Sequence, residues 1–135
     1  MNANKALAQY GRIKNDTQSM YASPHQLILM LFDGAIEAMS ITIGAIQQNN
    51  IPLRSKQSSR AIAIINGMRD CLDIETGSEL ADNLDSLYLY MAQELFIASL
   101  KNDTKTIQNI QTMVKDIRES WGKIPLDKHF IQRAN

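Results

Sequence analysis

One cysteine, three prolines and two histidines are all that this 135-residue chain holds of the residues that build stapled, loop-rich or metal-bound folds. The lone Cys71 excludes an internal disulfide, and no Cys or His pair shows zinc-ligand spacing, a pattern that suits the cytoplasm. Excess charge is missing as well. Fourteen basic and fourteen acidic residues give a formal net charge of zero, without the dense basic stripe of a nucleic-acid binder. No uncharged apolar run approaches the roughly 20 residues that span a membrane, so no membrane insertion is expected. The longest, Leu27 to Phe32, is far shorter, and Met1 to Lys5 leads into a polar stretch instead of a signal core. Glu-x-x-His pairs, a Gly-x-Ser-x-Gly elbow, a phosphate-cradling glycine loop and a Cys–His nucleophile arrangement are all absent. The reading is therefore of a non-enzyme with no catalytic residue, cofactor or metal. Asp33, before Gly34, is expected as a solvated group or an interhelical partner.

What is present is apolar content, 44% of the chain, enough for one core in a one-domain protein. It is arranged at helical spacing. Ser23-Pro24-His25-Gln26 is a capping box with proline at the first helical position, opening a helix from about 24 to 48. A second helix, about 54 to 73, carries Ala61, Ile65, Met68 and Leu72 on one face. Asp73 to Gly77 is a turn, and Thr76 with Glu79 opens a third helix ending near Leu100, with Leu80, Leu84, Leu87, Met91 and Leu95 as its core stripe. Asn102-Asp103-Thr104 breaks and caps again. The fourth helix carries Ile107, Ile110, Val114, Ile117 and Trp121, and Gly122 and Pro125 end it. Long helices with short connections predict an all-α, antiparallel, up-down four-helix bundle over 21–123. An N-terminal arm over 1–20 and a C-terminal tail over 124–135 lie outside it.

A bundle helix needs one apolar stripe a little over 100° wide. The fourth helix keeps to this rule and two others exceed it. In the third, Leu89, Ala92, Phe96 and Leu100 form a stripe roughly opposite the core stripe. In the first, Leu27, Leu31, Ala38 and Ala45 make one stripe and Ile28, Phe32, Met39 and Ile46 a second, extended by Leu29, Ile36 and Ile43. Either neighbours bury these helices on two sides, or part of the surplus is a groove for an amphipathic segment of another chain. An arm could cover such a groove until a client displaces it, with Leu7, Tyr10 and Ile13 as the plug. The expected partner-binding residues are thus Leu7, Tyr10, Ile28, Leu29, Phe32, Ile36, Leu89, Ala92, Phe96 and Leu100.

Ala22-Ser23-Pro24-His25-Gln26-Leu27-Ile28-Leu29-Met30-Leu31-Phe32-Asp33-Gly34-Ala35-Ile36 resembles the opening helix of the flagellar secretion chaperones called FliS. The likeness runs on through Ala61 to Leu72, through Asn83-Leu84-Asp85-Ser86-Leu87-Tyr88-Leu89-Tyr90-Met91, and through Ile117-Arg118-Glu119-Ser120-Trp121; Ala8-Gln9-Tyr10 is similar to the family's arm. The resemblance implies a cytoplasmic chaperone that binds the disordered C-terminal segment of flagellin. Such a chaperone prevents premature polymerisation and assists delivery to the flagellar type III export gate, with the arm occupying part of the site when it is empty. An anti-sigma factor or a co-chaperone stays open as a further partner. The chain departs from the family at Ala92-Gln93-Glu94, where members often carry two arginines. Two other readings compete: an adaptor that sequesters a regulator through the same groove, and a homodimer that uses the second stripe as its own interface.

Overall fold

The computed structural model describes residues 23–72 and 79–123. The arm with Leu7, Tyr10 and Ile13, the turn with Thr76, and the tail all lie outside the described residues. Four helices follow one another: α1 (Pro24–Gln47), α2 (Ile51–Asp70), α3 (Glu79–Leu100) and α4 (Thr104–Lys123). No strand occurs among the described residues. Each helix packs on its sequence neighbours, and α1 also packs on α4, so the four form a ring. The all-α up-down bundle is the observed fold. The α3–α4 seam is the thinnest of the four.

The helix ends explain the topology. At the start of α1 the Ser23 hydroxyl accepts from the Gln26 amide at 3.1 Å, and the Gln26 side chain accepts from the Ser23 amide at 3.0 Å. This is the capping box read from the sequence. At the far end of the bundle, α1 and α3 stop in the same way. Asn49 and Asn102 both adopt φ 55°, the left-handed conformation that asparagine tolerates better than most residues. The Asn50 amide then donates back to the Ala45 carbonyl at 2.8 Å and the Asp103 amide to the Ala98 carbonyl at 2.9 Å, which closes a Schellman turn in each case. The residue that closes each turn also caps the next helix. The Asn50 side chain accepts from the Leu53 amide at 3.2 Å, and Asp103 accepts from the Thr106 amide at 3.1 Å and the Thr106 hydroxyl at 2.6 Å. Those Thr106 hydrogen bonds hold the Asp103 carboxyl below its ordinary range. Three-residue connections of this kind force the chain to reverse.

The core contains most of the residues expected from the second and fourth helices: Ala61, Ile65, Met68, Leu72 (just past α2), Ile107, Ile110, Val114 and Trp121 are buried, and Ile117 packs against them partly buried. Cys71 is a small core residue, and burial pushes its thiol up to about 12. On α1 the two-sided burial reading prevails. Leu31, Phe32, Ala35, Ala38 and Met39 are all buried, because α2 covers one side and α4 the other. This helix is long and apolar enough to cross a membrane on those two criteria alone. Its apolar faces are spent on its neighbours in the bundle instead.

Polar side chains pin the register. Gln111 of α4, buried, donates through Nε2 to the Ile36 carbonyl at 2.9 Å and the Ser40 hydroxyl at 2.6 Å, both on α1. Asp33 is the interhelical partner expected of it, paired with Arg118 at 2.5 Å. Arg69–Asp85 ties α2 to α3 at 2.6 Å, and Arg60–Glu37 ties α1 to α2 at 3.5 Å. The paired side chains are about a quarter to a half exposed, so each pair contributes at most about 1 kcal/mol and serves register more than stability.

Candidate functional site

The two ends of the ring are built differently, and the candidate site starts at the end opposite the Schellman turns. There α1 and α4 are clasped together. The His25 ring stacks on Trp121 with centroids 5.5 Å apart and planes 15° from parallel. His25 Nε2 lies 3.3 Å from the Trp121 carbonyl, while Trp121 Nε1 donates to the His25 carbonyl at 3.3 Å. Across from this clasp, between the first turns of α3 and the last turns of α4, the described helices leave an unfilled space. The gap is a cavity of about 290 Å³ lined by Ile28 and Phe32 of α1, Met68 and Leu72 of α2, Leu80, Leu84 and Tyr88 of α3, and Ile117 and Trp121 of α4. Asp116 and Ser120, both on α4, supply its polar lip. Tyr88 is almost wholly buried in this wall. Burial first, and the neighbouring Cys71 second, raise its phenol above the ordinary range.

A second apolar surface runs along α3 on its opposite side. Leu89 and Phe96 form one wall of a depression whose other wall is Ser59, Ile62, Ala63, Asn66, Arg69 and Asp70 of α2. Beyond that depression the outward face of α3 carries no charge from Ser86 to Leu100. Ser86, Leu89, Gln93, Phe96 and Leu100 follow one another at steps of three and four, flanked by Tyr90 and Ile97. That is the spacing of a coiled-coil seam. Tyr90, Phe96, Ile97 and Leu100 are 49%, 56%, 44% and 60% exposed, so the seam has no partner within the described bundle.

The residues expected from the sequence divide between these places. Ile28 and Phe32 are core residues, 4% and 1% exposed, that reach the open-end cavity only as its floor. Leu29 and Ile36 are half-buried against the core and line neither surface. Ala92 was grouped with the outward stripe and is instead in the core. At 100° per residue it sits about 60° nearer the core than Leu89, and a methyl group that far round is covered. Leu89, Phe96 and Leu100 remain on the outward face. Leu80 corrects the expectation in the other sense: assigned to the core stripe, it is half exposed at the rim of the cavity, where no described side chain covers it. Tyr90, by its position expected at the core edge, is 49% exposed and belongs to this outward surface together with Ile97, whose place beside Phe96 carried the signal. Leu7 and Tyr10 lie outside the described residues.

Among the described residues no three His, Cys, Asp or Glu side chains cluster as metal ligands would. What the two surfaces can do is bury apolar side chains.

Residues 6–128 match the family described as flagellar protein FliS. The chain belongs to the FliS family. Its similarity to curated members extends over most of both chains. It is 40% identical to the flagellar secretion chaperone FliS of Salmonella typhimurium over 85% of this chain and 86% of that one. Identity to the Vibrio cholerae protein of the same name is 35%, covering 96% and 95%, and to FliSB of Pseudomonas aeruginosa 37%, covering 92% and 98%. Both surfaces fall inside the FliS match, so the family relation covers them along with the bundle.

Proposed function

We propose that this FliS-family chain is a cytoplasmic flagellar export chaperone. It holds the C-terminal segment of flagellin on the two apolar surfaces, keeps the subunit from polymerising early, and presents it to the export gate. The observation that carries this reading is the uncharged seam on α3, together with an apolar cavity at the end of the same helix. An ordered fold leaves five large apolar side chains on one side of a helix only where another segment is to cover them. A heptad-spaced face suits an amphipathic helix of the client. The narrower cavity suits one or two anchoring side chains. Each Leu, Ile or Phe fully buried there returns about 1.5–3 kcal/mol. Ordering a disordered tail costs about 2–5 kcal/mol or more, so several anchors give a net gain that stays reversible.

The arm belongs to the same reading: Leu7, Tyr10 and Ile13 cover part of this surface until the client arrives. Calorimetric titration with full-length flagellin and with flagellin lacking its C-terminal segment tests the proposal. A near one-to-one complex with the first and none with the second is expected. Equal binding of the two, or a protein already dimeric by light scattering through the α3 seam, removes it.

A further inference from the structure

The open-end cavity lies where α4 stops, and the twelve residues after Lys123 carry a pattern that fits it. Leu126, Phe130 and Ile131 are three large apolar side chains, and Lys128 and Arg133 stand against the single acid Asp127. Around the cavity mouth the charge is reversed. Asp116 of α4 lines the cavity, and Glu79 and Asp82 lie in the first turn of α3, next to Leu80 on its rim; among the described residues none of the three acids has an ion pair, whereas Arg118 is engaged by Asp33 and Lys123 by Glu119. Trp121 and Ser120, in the last turn of α4, already line the cavity. Pro125 has no amide proton to continue a helical ladder, which disfavours a straight extension of α4. At about 3.3 Å per residue, the three apolar side chains reach about 10 to 26 Å from Lys123. That is far enough for the cavity beside Trp121 and too short for the far half of the α3 seam.

From this tether, the apolar spacing and the charge complementarity we infer that the chain's own segment 124–135 docks in the open-end cavity. Leu126, Phe130 and Ile131 are its anchors, and the segment competes there with the client. It is thus an occupant built into the chain, distinct from the N-terminal arm, whose Tyr10 is thirteen residues from Ser23. A short tether gives the tail the higher local concentration at this place. The docking itself is independent of what the client is; its consequence for affinity rests on the proposed chaperone function.

Disulfide trapping in the full-length protein tests the docking without any client. Leu80→Cys at the cavity rim is combined with His129→Cys in the tail and, separately, with Gln9→Cys in the arm. Cys71 is buried and its thiol pushed up to about 12, which keeps it out of the reaction. The expected result is a rapid cross-link between positions 80 and 129 that disappears when Leu126, Phe130 and Ile131 are all replaced by serine. A cross-link that survives that triple replacement reports only the tether and overturns the proposal. So does one that forms between positions 80 and 9 and not between 80 and 129. With a flagellin C-terminal peptide, the serine triple variant should bind about five- to tenfold more tightly than the parent, as expected if the tail fills the cavity about 80–90% of the time. Failure of the peptide to bind either protein, with the trap intact, counts against the chaperone reading alone. Equal binding to both counts against competition by the tail.

Discussion

The far end of the bundle and its open end are made from the same four helices and share almost no design. At the far end, two connections of the same type turn the chain within three residues, each through a left-handed asparagine followed by a residue that caps the next helix. The Arg54 Nη1 donates to the Asn102 side chain at 2.8 Å, binding one connection to the other helix pair. At the open end the His25–Trp121 clasp joins α1 to α4 and the Arg69–Asp85 pair joins α2 to α3, and an apolar cavity is left beside the first turns of α3. The difference teaches where the stability of the bundle resides. The tight turns are gathered at one end of the bundle and the unfilled space at the other. α3 belongs to both regimes, with its first turns beside the cavity and its last turns in the uncharged seam.

The largest effect that would break this comparison is on the core near the Schellman turns. Ile107→Ala should cost about 2–5 kcal/mol of stability, whereas Leu80→Ala at the cavity rim should stay within about 0.5 kcal/mol. Urea midpoints of the two variants at unchanged slope check this, and similar losses in both would mean that the open end is packed like the far end. Next comes the seam. Phe96→Asp should weaken flagellin binding by about 1.5–3 kcal/mol, or roughly ten- to a hundredfold, with little change in melting temperature. A matching fall in melting temperature would place Phe96 in the core. A smaller loss is expected at the turn itself. Asn102→Ala forces an alanine into the left-handed region and should cost about 1–2 kcal/mol, while Asn102→Gly should recover much of it. Equal losses would show that the Arg54 hydrogen bond matters and the backbone conformation does not. The smallest effect is at the clasp, where His25→Ala should cost about 0.5–1.5 kcal/mol and change the emission of Trp121, the chain's sole tryptophan. No change in emission would show that the stacked ring does not set the environment of the cavity wall.

Much of the fold was legible because helix signals are local. Ser23 with Gln26, Asn50 before Ile51-Pro52, and Asp103 before Thr104 act on the amides nearest to them, so the sequence locates helix starts to within a few residues. The second helix begins at Ile51, a few residues earlier than its apolar pattern suggested, because the Asn50 cap and Pro52 define the start before any core residue appears. The site was less legible. Periodicity identified surplus apolar surface on α1 and α3 but not its fate. On α1 nearly all of the surplus is consumed by packing, and Ile28 and Phe32 are core. On α3, Leu89, Phe96 and Leu100 stay outside while Ala92 goes in, a distinction of about 60° around one helix. Leu80 lies half exposed at the rim of a cavity, a feature of the tertiary packing that no helical wheel contains.

The amino-acid sequence by itself determined the helices, their order, the capped turns that reverse the chain and the likeness to FliS, because each of these depends on neighbours within about one turn or on residue identity alone. Only the tertiary structure decided which apolar stripes are left without a partner. A stripe becomes core or docking surface according to whether another helix covers it, and that depends on how far apart the four axes stand. The packing of the four helices leaves a cavity at one end and the Ser86–Leu100 face of α3 turned outward.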